Sequence, residues 1–317
     1  MKVVVTGGAG YIGSVVARQL LARGDEVLVV DDLSTGHADA VPDGAALLQT
    51  NVRELLAADL AGADAVLHFA ARSLVGESVV DPGKYWDGNV GATLALLATM
   101  RAAGVPRLVF SSTAATYGQP DTVPILESAP ARPINPYGAS KLAIDHMLMG
   151  WCSAHGLGAA SLRYFNVAGA WGGAGERHDP ETHLIPNALA VPAGRRDAVE
   201  VFGDDYPTPD GTCVRDYIHV GDLGEAHLLA LEAVRPGEHE VFNLGSGRGY
   251  SVLEVVQAVR DVTGHPVPIR WAPRRAGDPP SLVASNERIH AALGWAPRRD
   301  LTTMVRDAWQ AIPRDPG

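Results

Sequence analysis

The first half of the chain alternates short runs of β-branched apolar residues with longer segments in which apolar residues recur at helical spacing. The short runs are typical of buried strands, and the longer segments are typical of amphipathic helices. The predicted strands span residues 2–6, 26–31, 46–49, 65–69, 107–111 and 159–163. The predicted helices span residues 12–23, 85–103 and 137–154, and Gly24 and Gly104 follow the first two, where helices commonly stop.

The second half has a different pattern. Residues 168–175 are rich in glycine, and prolines recur between residues 180 and 209. A helical pattern at 220–234 and a strand pattern at 240–244 then resemble one more unit of the first half. We therefore predict an α/β fold, with a Rossmann-type doubly wound parallel sheet and a smaller C-terminal α/β lobe. The predicted first domain comprises residues 1–165 and about 212–245, and the predicted lobe comprises about 166–211 and 246–317.

Composition narrows the class of protein. With 46% apolar residues among 317, the chain can bury a full hydrophobic core. It has no apolar run near the roughly 20 residues that cross a bilayer and no signal peptide, so we expect a cytoplasmic protein without a membrane partner. A net charge of −10 argues against nucleic acid as a partner, because phosphate backbones select basic surfaces. Cys152 and Cys213 are far apart and predict neither a disulfide nor a metal site.

A glycine-rich turn follows the first predicted strand directly. Gly7, Gly10 and Gly13 are spaced three apart at the start of the first helix, where glycine lets the backbone approach a pyrophosphate. Asp31 and Asp32 follow at the end of the second strand, where a carboxylate accepts hydrogen bonds from an adenosine ribose and repels a 2′-phosphate. The pattern predicts a dinucleotide site that prefers NAD to NADP.

A tyrosine and a lysine follow at the start of the third predicted helix. Tyr137 and Lys141 are four residues apart, so their side chains lie on one face of that helix. A phenol with its usual pKa of about 10 is a poor base at neutral pH. A neighbouring ammonium, together with the positive nicotinamide ring of NAD⁺, favours the phenolate. After a dinucleotide signature, this pair predicts redox chemistry on an alcohol or a ketone.

Two segments at strand ends stay open on residue pattern alone. Residues 111–118 hold several hydroxyl groups where substrates bind in such sheets, and one of them can relay a proton, but the spacing does not say which. The small residues at 69–71 either let a cofactor lie against the backbone or simply end the fourth strand.

Longer motifs identify a family. They are HFAA at 68–71, VGES at 75–78, RYFN at 163–166, FGDDYPT at 202–208, VRDYIHV at 214–220 and APRRAGD at 272–278. With the glycine turn and the Tyr137/Lys141 pair, the chain resembles the extended short-chain dehydrogenase/reductases and, within them, the UDP-glucose 4-epimerases. The likeness covers essentially the whole chain.

The resemblance implies roles for individual residues. Tyr137 is the implied base on the sugar C4 hydroxyl, Lys141 holds the nicotinamide ribose and tunes the phenolate, and Thr113 bonds the same oxygen. The implied cofactor-binding residues are Gly7, Gly10, Tyr11, Ile12, Gly13, Asp31, Asp32, Leu33, Ser34, Thr35, Gly36, Asn51, Val52, Phe69, Ala70, Ala71, Ser73, Asn89, Tyr137, Lys141 and Phe165. The implied substrate-binding residues are Thr113, Tyr137, Asn166, His183, Leu184, Val201, Phe202, Arg215, Arg275, Asp278 and Leu282.

The implied activity interconverts UDP-galactose and UDP-glucose by oxidation at C4 to a 4-keto sugar, rotation of that sugar and re-reduction. NAD is then a resident cofactor in the first domain, while Arg215 and Arg275 hold the diphosphate. A homodimer is also implied, with the helices at 85–103 and 137–154 at its interface.

The chain departs from the family pattern at several contacts. Asn51 replaces a common Asp near the adenine, Ser73 replaces a Lys beside the cofactor, and His183 replaces an Asn in the substrate region. Leu282 lies at the gate of the sugar pocket, where a bulky aromatic residue excludes N-acetylated sugars and a small residue admits them. Leucine is intermediate in size and leaves this tolerance open.

Three alternative functions agree with the sequence to different degrees. A nucleotide-sugar 4,6-dehydratase needs an Asp-Glu pair after the hydroxyl residue, and Ala114 and Ala115 stand there instead. A 4-epimerase of another UDP-sugar, either a UDP-N-acetylhexosamine or a UDP-pentose, uses the same residues and stays open. A non-catalytic NAD-sensing protein on this fold typically loses the tyrosine or the lysine, and this chain keeps both.

Overall fold

The computed structural model describes residues 1–275 and 278–312. Two residues of the APRRAGD motif, 276–277, and the last residues of the predicted lobe, 313–317, lie outside the described part of the chain. In the part that is described, no helix has both the length and the apolar character needed to cross a membrane.

Strands and helices are numbered in chain order over the described residues. The strands are β1 Lys2–Thr6, β2 Glu26–Asp31, β3 Ala46–Gln49, β4 Ala65–His68, β5 Arg107–Thr113, β6 Gly158–Tyr164, β7 Asn166–Ala168, β8 Val199–Phe202, β9 Val214–His219, β10 His239–Leu244, β11 Gly249–Ser251, β12 Ile269–Ala272 and β13 Ser281–Leu282. The helices are α1 Tyr11–Ala22, α2 Val75–Val80, α3 Pro82–Tyr85, α4 Ala92–Ala103, α5 Pro136–His155, α6 Leu184–Leu189, α7 Val220–Ala233, α8 Val252–Thr263, α9 Glu287–Leu293 and α10 Leu301–Ala311.

Seven parallel strands form the main sheet, in the order β10-β6-β5-β4-β1-β2-β3. The chain builds outward from β1 to β3 and then returns to build in the other direction from β4. The strand order therefore reverses between β1 and β4, and ligands of doubly wound sheets bind at the carboxyl ends of the strands beside such a point. This architecture confirms the predicted α/β, Rossmann-type fold.

Helices cover both faces of the main sheet, which explains why its strands are apolar on both sides. In β1, Val3 and Val5 belong to the core that α1 and α7 cover, whereas Val4 belongs to the core that α4 and α5 cover. Successive side chains of a strand point to opposite faces, so an unbroken run of valines serves both cores.

The rest of the chain builds two smaller sheets. Strands β7, β9, β11 and β13 form one of them, and β8 pairs with β12 in the other. A third core, to which α6, α8 and α10 contribute, packs against these strands. Strand β7 starts two residues after β6 ends, so the smaller sheets begin at the carboxyl edge of the main sheet.

The predicted helix at 85–103 is not continuous. Helix α3 ends at Tyr85, a π-helical turn spans Trp86–Gly91, and α4 begins only at Ala92. The wider turn contains Gly88 and Gly91 and places the Asn89 side chain in the protein interior. Such turns often occur at functional sites, and the local helical period of the sequence does not reveal them.

We expect Leu108→Ala to lower the free energy of unfolding by about 2–5 kcal/mol, because it leaves a cavity in the central strand β5. Leu108 has no exposed surface, whereas Leu56 is 67% exposed and provides a matched control. Chemical denaturation of the two Ala variants measures the difference. Equal losses at both positions would contradict the described core.

Candidate active site

The turn between β1 and α1 lies where the strand order reverses. Gly7 has φ +71, and a Cβ atom on it would lie 2.5 Å from the backbone N of Ala70. A Cβ atom on Gly13 would lie only 2.2 Å from the carbonyl O of Gly7. Gly10 is the N-cap residue of α1 and has no side chain. The first N–H groups of α1 therefore lack a side-chain acceptor and can bind an anion.

Two carboxylates follow at the end of β2. The buried Asp31 accepts hydrogen bonds from two backbone N–H groups, those of Ala9 at 3.0 Å and Leu33 at 2.9 Å. Asp32 accepts from the backbone N of Ser34 and from Nδ2 of Asn51, both at 2.9 Å. Burial raises the pKa of Asp31. Burial acts the same way on Asp32, but the hydrogen bonds from Ser34 and Asn51 outweigh it and lower the pKa of Asp32.

Most other predicted cofactor residues surround the turn. Tyr11 and Ile12 begin α1, while the remaining positions follow the carboxyl ends of strands: Thr35 and Gly36 after β2, Val52 after β3, Phe69, Ala70, Ala71 and Ser73 after β4, and Phe165 after β6. Asn89 differs, because its side-chain amide is already engaged. Its Oδ1 accepts from the backbone N of Arg72 at 2.7 Å, and its Nδ2 donates to Oγ of Ser140 at 3.0 Å.

Local sequence explains where the catalytic helix begins. The Asn135 side chain caps α5 by accepting from the backbone N of Gly138 at 2.8 Å, and Pro136 occupies the first helical position. Gly138 lets α5 approach the segment after β5 closely, because a Cβ atom there would lie 2.4 Å from the carbonyl O of Ala115. Tyr137 is thereby held beside Thr113, whose hydroxyl acts to lower the pKa of the phenol.

The buried Lys141 ammonium lies between α5 and β5. Its Nζ donates to the carbonyl O of Ser111 at 2.8 Å and lies 6.0 Å from the centroid of the Tyr137 ring. It also lies 4.8 Å from the centroid of the Phe110 ring. Burial lowers the pKa of Lys141 to about 7, and the nearby Asp145 carboxylate acts in the opposite direction. The charge of this ammonium therefore depends on its surroundings.

In the protein by itself, the pKa of Tyr137 is shifted upward, whereas the sequence predicts surroundings that favour the phenolate. Burial raises the pKa of the Tyr137 phenol, while the hydrogen bond with Thr113 lowers it only partly. The neighbouring Lys141 ammonium donates to a backbone carbonyl, and burial of the phenol sets the direction of the pKa shift. Ionisation of Tyr137 thus needs further positive charge, which a bound nicotinamide ring supplies.

Sequence reasoning missed Ser111 and Tyr164 as parts of this site. Oγ of Ser111 and the hydroxyl of Tyr164 form a buried hydrogen bond, and the backbone of Ser111 holds Lys141. Both residues belong to segments that the sequence pattern singles out, the hydroxyl run at 111–118 and the RYFN motif at 163–166. Only the pairing of β5 with β6, which brings Ser111 next to Leu162 and Thr113 next to Tyr164, reveals that they meet.

The predicted substrate residues form two groups in the smaller sheets. Arg215 on β9 hydrogen-bonds to Asp278 and pairs in register with Leu282 of β13. Val201 and Phe202 lie on β8, and the guanidinium of Arg275 stacks 3.9 Å from the centroid of the Phe202 ring. The backbone N of Asp278 donates to the carbonyl O of Arg275 at 3.3 Å, so the two groups are neighbours.

Three more predicted substrate residues lie where the smaller sheets leave the main one. Asn166 begins β7, His183 precedes α6, and Leu184 begins α6. Nδ1 of His183 is hydrogen-bonded to Glu181 at 2.7 Å and lies 3.9 Å from Glu176. Burial alone would lower the pKa of His183, but these two carboxylates outweigh it and raise the pKa.

Known proteins share these features. The family model described as "NAD dependent epimerase/dehydratase family" matches residues 3–245. A protein of Streptomyces lividans named UDP-glucose 4-epimerase is 61% identical over 315 residues, which cover 98% of this chain and 95% of that protein. The chain belongs to the NAD-dependent epimerase/dehydratase family.

Solved structures agree with this assignment. The UDP-glucose 4-epimerase of Stenotrophomonas maltophila, solved with NAD and formylated UDP-arabinopyranose, superposes with a TM-score of 0.94 at 42% identity, covering 98% of this chain and 97% of that one. The enzyme of Brucella ovis in complex with NAD gives 0.92 at 47% identity, with the same shares covered. The predicted family and its NAD cofactor are confirmed.

The residues of the glycine turn fit NAD. The turn leaves the N-terminus of α1 uncapped beside Gly10, and Asp31 and Asp32 lie at the end of the neighbouring strand, where a ribose binds in this fold. The individual contacts of the predicted cofactor and substrate residues remain predictions.

We expect Gly13→Ala to weaken NAD binding at least about tenfold, the equivalent of about 1.4 kcal/mol, because the added methyl group forces the turn apart. Gly150→Ala is the matched control, since Gly150 is exposed on α5 and a Cβ atom there meets nothing within 4 Å. The NAD content of each purified variant, measured after denaturation, tests this. Full NAD content in Gly13→Ala would contradict the described turn.

Proposed function

We propose that this protein is an NAD-dependent 4-epimerase that interconverts UDP-galactose and UDP-glucose. The observation that carries the proposal is the group formed by Tyr137, Thr113 and Lys141 beside a dinucleotide turn. Relatives that match nearly the whole chain, from Streptomyces lividans and Corynebacterium glutamicum, are named UDP-glucose 4-epimerase and are 61% and 57% identical to it.

The chain's own residues supply proton transfer and orientation. Tyr137 takes the proton of the sugar O4 hydroxyl, and Thr113, next to the phenol, orients that oxygen. Lys141 contributes the positive charge that favours the phenolate. NAD, held by the glycine turn, would supply the hydride acceptor for the sugar C4 and the hydride donor for its re-reduction. Tyr137 then gives its proton back, so the net reaction is an isomerisation.

Two parts of the chain bind the cofactor and the nucleotide sugar separately, which supports rotation of the 4-keto sugar. We assign NAD to residues 1–165 with about 212–245, and the nucleotide sugar to about 166–211 and 246–317. Arg215 falls within 212–245 but lies on β9 of the smaller sheets, where it hydrogen-bonds to Asp278. The backbone N of Asp278 donates to the carbonyl O of Arg275 at 3.3 Å, so the two arginines are neighbours. Guanidinium groups bind diphosphates through several N–H groups at once. Firm binding of the diphosphate leaves the sugar end free to turn over.

Leu282 favours a second candidate, a 4-epimerase that also accepts N-acetylated sugars. Its side chain packs against the cluster of Ala114, Tyr117 and Ile125, which follows Thr113 in the chain, and is smaller than an aromatic residue. A similar structure at 41% identity and a TM-score of 0.86 is described as the UDP-Glc/GlcNAc 4-epimerase of Campylobacter jejuni. Comparing turnover of UDP-galactose, UDP-N-acetylgalactosamine and UDP-xylose decides between the two candidates.

We expect Tyr137→Phe to lower the rate of UDP-glucose formation from UDP-galactose by about 10² to 10⁴, because it removes the proton acceptor. NAD content should stay unchanged, since the ring remains in place. Tyr250→Phe is the matched control, because Tyr250 lies in the core of the smaller sheets. Wild-type protein that carries NAD but forms no UDP-glucose would refute the proposed activity and favour a non-catalytic NAD-binding protein.

We also propose a homodimer that packs α4 and α5 against the same helices of a second copy. Leu94 on α4 and Met149 on α5 are 49% and 56% exposed, and Trp86, which begins the π-helical turn before α4, is 44% exposed. Large exposed apolar side chains are typical of a surface that binds another protein.

The double variant Leu94→Glu/Met149→Glu is expected to be a monomer, because two carboxylates at the centre of an apolar interface lose their hydration. Sedimentation analysis should give twice the chain mass of 33.3 kDa for the wild type and the single mass for the variant. Leu56→Glu, at an exposed position outside both helices, should leave the dimer intact. A wild type that sediments as a monomer would disprove this assembly.

A further inference from the structure

The catalytic helix carries a second buried charge that the proposed chemistry does not use. Asp145 lies four residues after Lys141 on α5, so the two side chains lie on the same face of the helix. Asp145 is only 4% exposed and Lys141 only 2%. Buried carboxylates are rare unless a partner compensates their charge.

Arg163 of β6 hydrogen-bonds to only one of the two carboxylate oxygens of Asp145. Its Nε and Nη2 both donate to Oδ2 of Asp145, at 3.0 Å and 2.8 Å. Its Nη1 donates to the hydroxyl of Tyr117 at 3.1 Å. Oδ1 of Asp145 is buried and has no hydrogen-bond partner. One oxygen of the carboxylate therefore anchors the guanidinium, while the other contributes negative charge without a bond of its own.

The surrounding titratable groups do not replace this charge. His68 on β4 lies near Lys141, but burial lowers its pKa to about 3, so it is neutral. His239 on β10 bonds to Oγ of Ser161, and burial lowers its pKa as well. Tyr137 and Tyr117 are phenols whose pKa burial raises. Asp145 is the acidic group that acts on Lys141.

We propose that Asp145 is a positioning residue of the reaction, which keeps Lys141 in its charged form and thereby supports ionisation of Tyr137. Arg163 in turn fixes the Asp145 carboxylate against β6. The buried cluster then holds two cations and one anion, and removal of the anion leaves Lys141 beside an uncompensated guanidinium. This role rests on the proposed function, because it concerns the base of that reaction.

The direction of the effect follows from the charges. Lys141 is charged below its pKa and neutral above it, and a nearby anion raises that pKa. Without the anion, Lys141 loses its proton at lower pH, and Tyr137 then ionises only at higher pH. If the Asp145–Arg163 pair only held α5 against β6, breaking it would lower thermal stability without changing the pH at which Lys141 or Tyr137 titrates.

The experiment compares Asp145→Asn, Asp145→Glu and Arg163→Met in the NAD-bound protein. The first readout is the pH profile of kcat with UDP-galactose. The second is the ultraviolet absorbance of the Tyr137 phenolate as pH rises, with Tyr137→Phe as the baseline. In Asp145→Asn we expect the alkaline limb of kcat to move down by about one pH unit and the phenolate to form at higher pH by a similar amount. Asp145→Glu should restore both, and Arg163→Met, which keeps the carboxylate, should not move the alkaline limb down.

Equal shifts in Asp145→Asn and Arg163→Met, or unchanged titrations with lowered thermal stability in both, would overturn the proposal. If Asp145→Asn does not fold, the double variant Asp145→Asn/Arg163→Met removes both charges of the pair, and its alkaline limb must lie below that of Arg163→Met alone. The phenolate titration needs no substrate. Wild-type protein inactive on UDP-galactose would therefore count against the proposed function, while the titration still tests the role of Asp145.

Discussion

A lysine ammonium buried beside a phenol is the constraint on which the active site depends. Burial opposes the charge of Lys141, so its Nζ must find a hydrogen-bond acceptor and a compensating anion within the protein. The carbonyl of Ser111 supplies the first and Asp145 the second. Both requirements fix α5 against β5 and β6, and Gly138 permits the close approach that this packing needs.

The parallel sheet brings the chemistry to one edge. The glycine turn follows β1, Asp31 ends β2, Phe69 follows β4 and Thr113 ends β5, and all these positions lie at carboxyl ends of strands. Because parallel strands end at the same edge, positions that are far apart in the sequence become neighbours there. The cofactor turn and the catalytic pair therefore lie at the same edge of the sheet although more than a hundred residues separate them.

The smaller sheets complete the site from the other side. Arg215, Asp278 and Leu282 lie on or beside strands that pair with one another, and Leu282 packs against the cluster of Ala114, Tyr117 and Ile125 that follows β5. In the proposed binding mode, a group held by the arginines at one end reaches the catalytic residues at the other. The same arrangement explains why a residue late in the chain borders the sugar end of the proposed site.

The sequence by itself determined the strand and helix pattern, the glycine turn and the Tyr137/Lys141 pair, because these depend on local periodicity and on residues close together in the chain. Residues 2–6, 26–31 and 46–49 were predicted with the bounds that the structure shows. Only the tertiary structure decided that the helix at 85–103 is interrupted, that burial raises the pKa of Tyr137, and that Ser111, Tyr164 and the Asp145–Arg163 pair surround Lys141. Desolvation and the partners of a buried charge depend on strand pairing and on the packing of α5, and neither is written in the local pattern of residues.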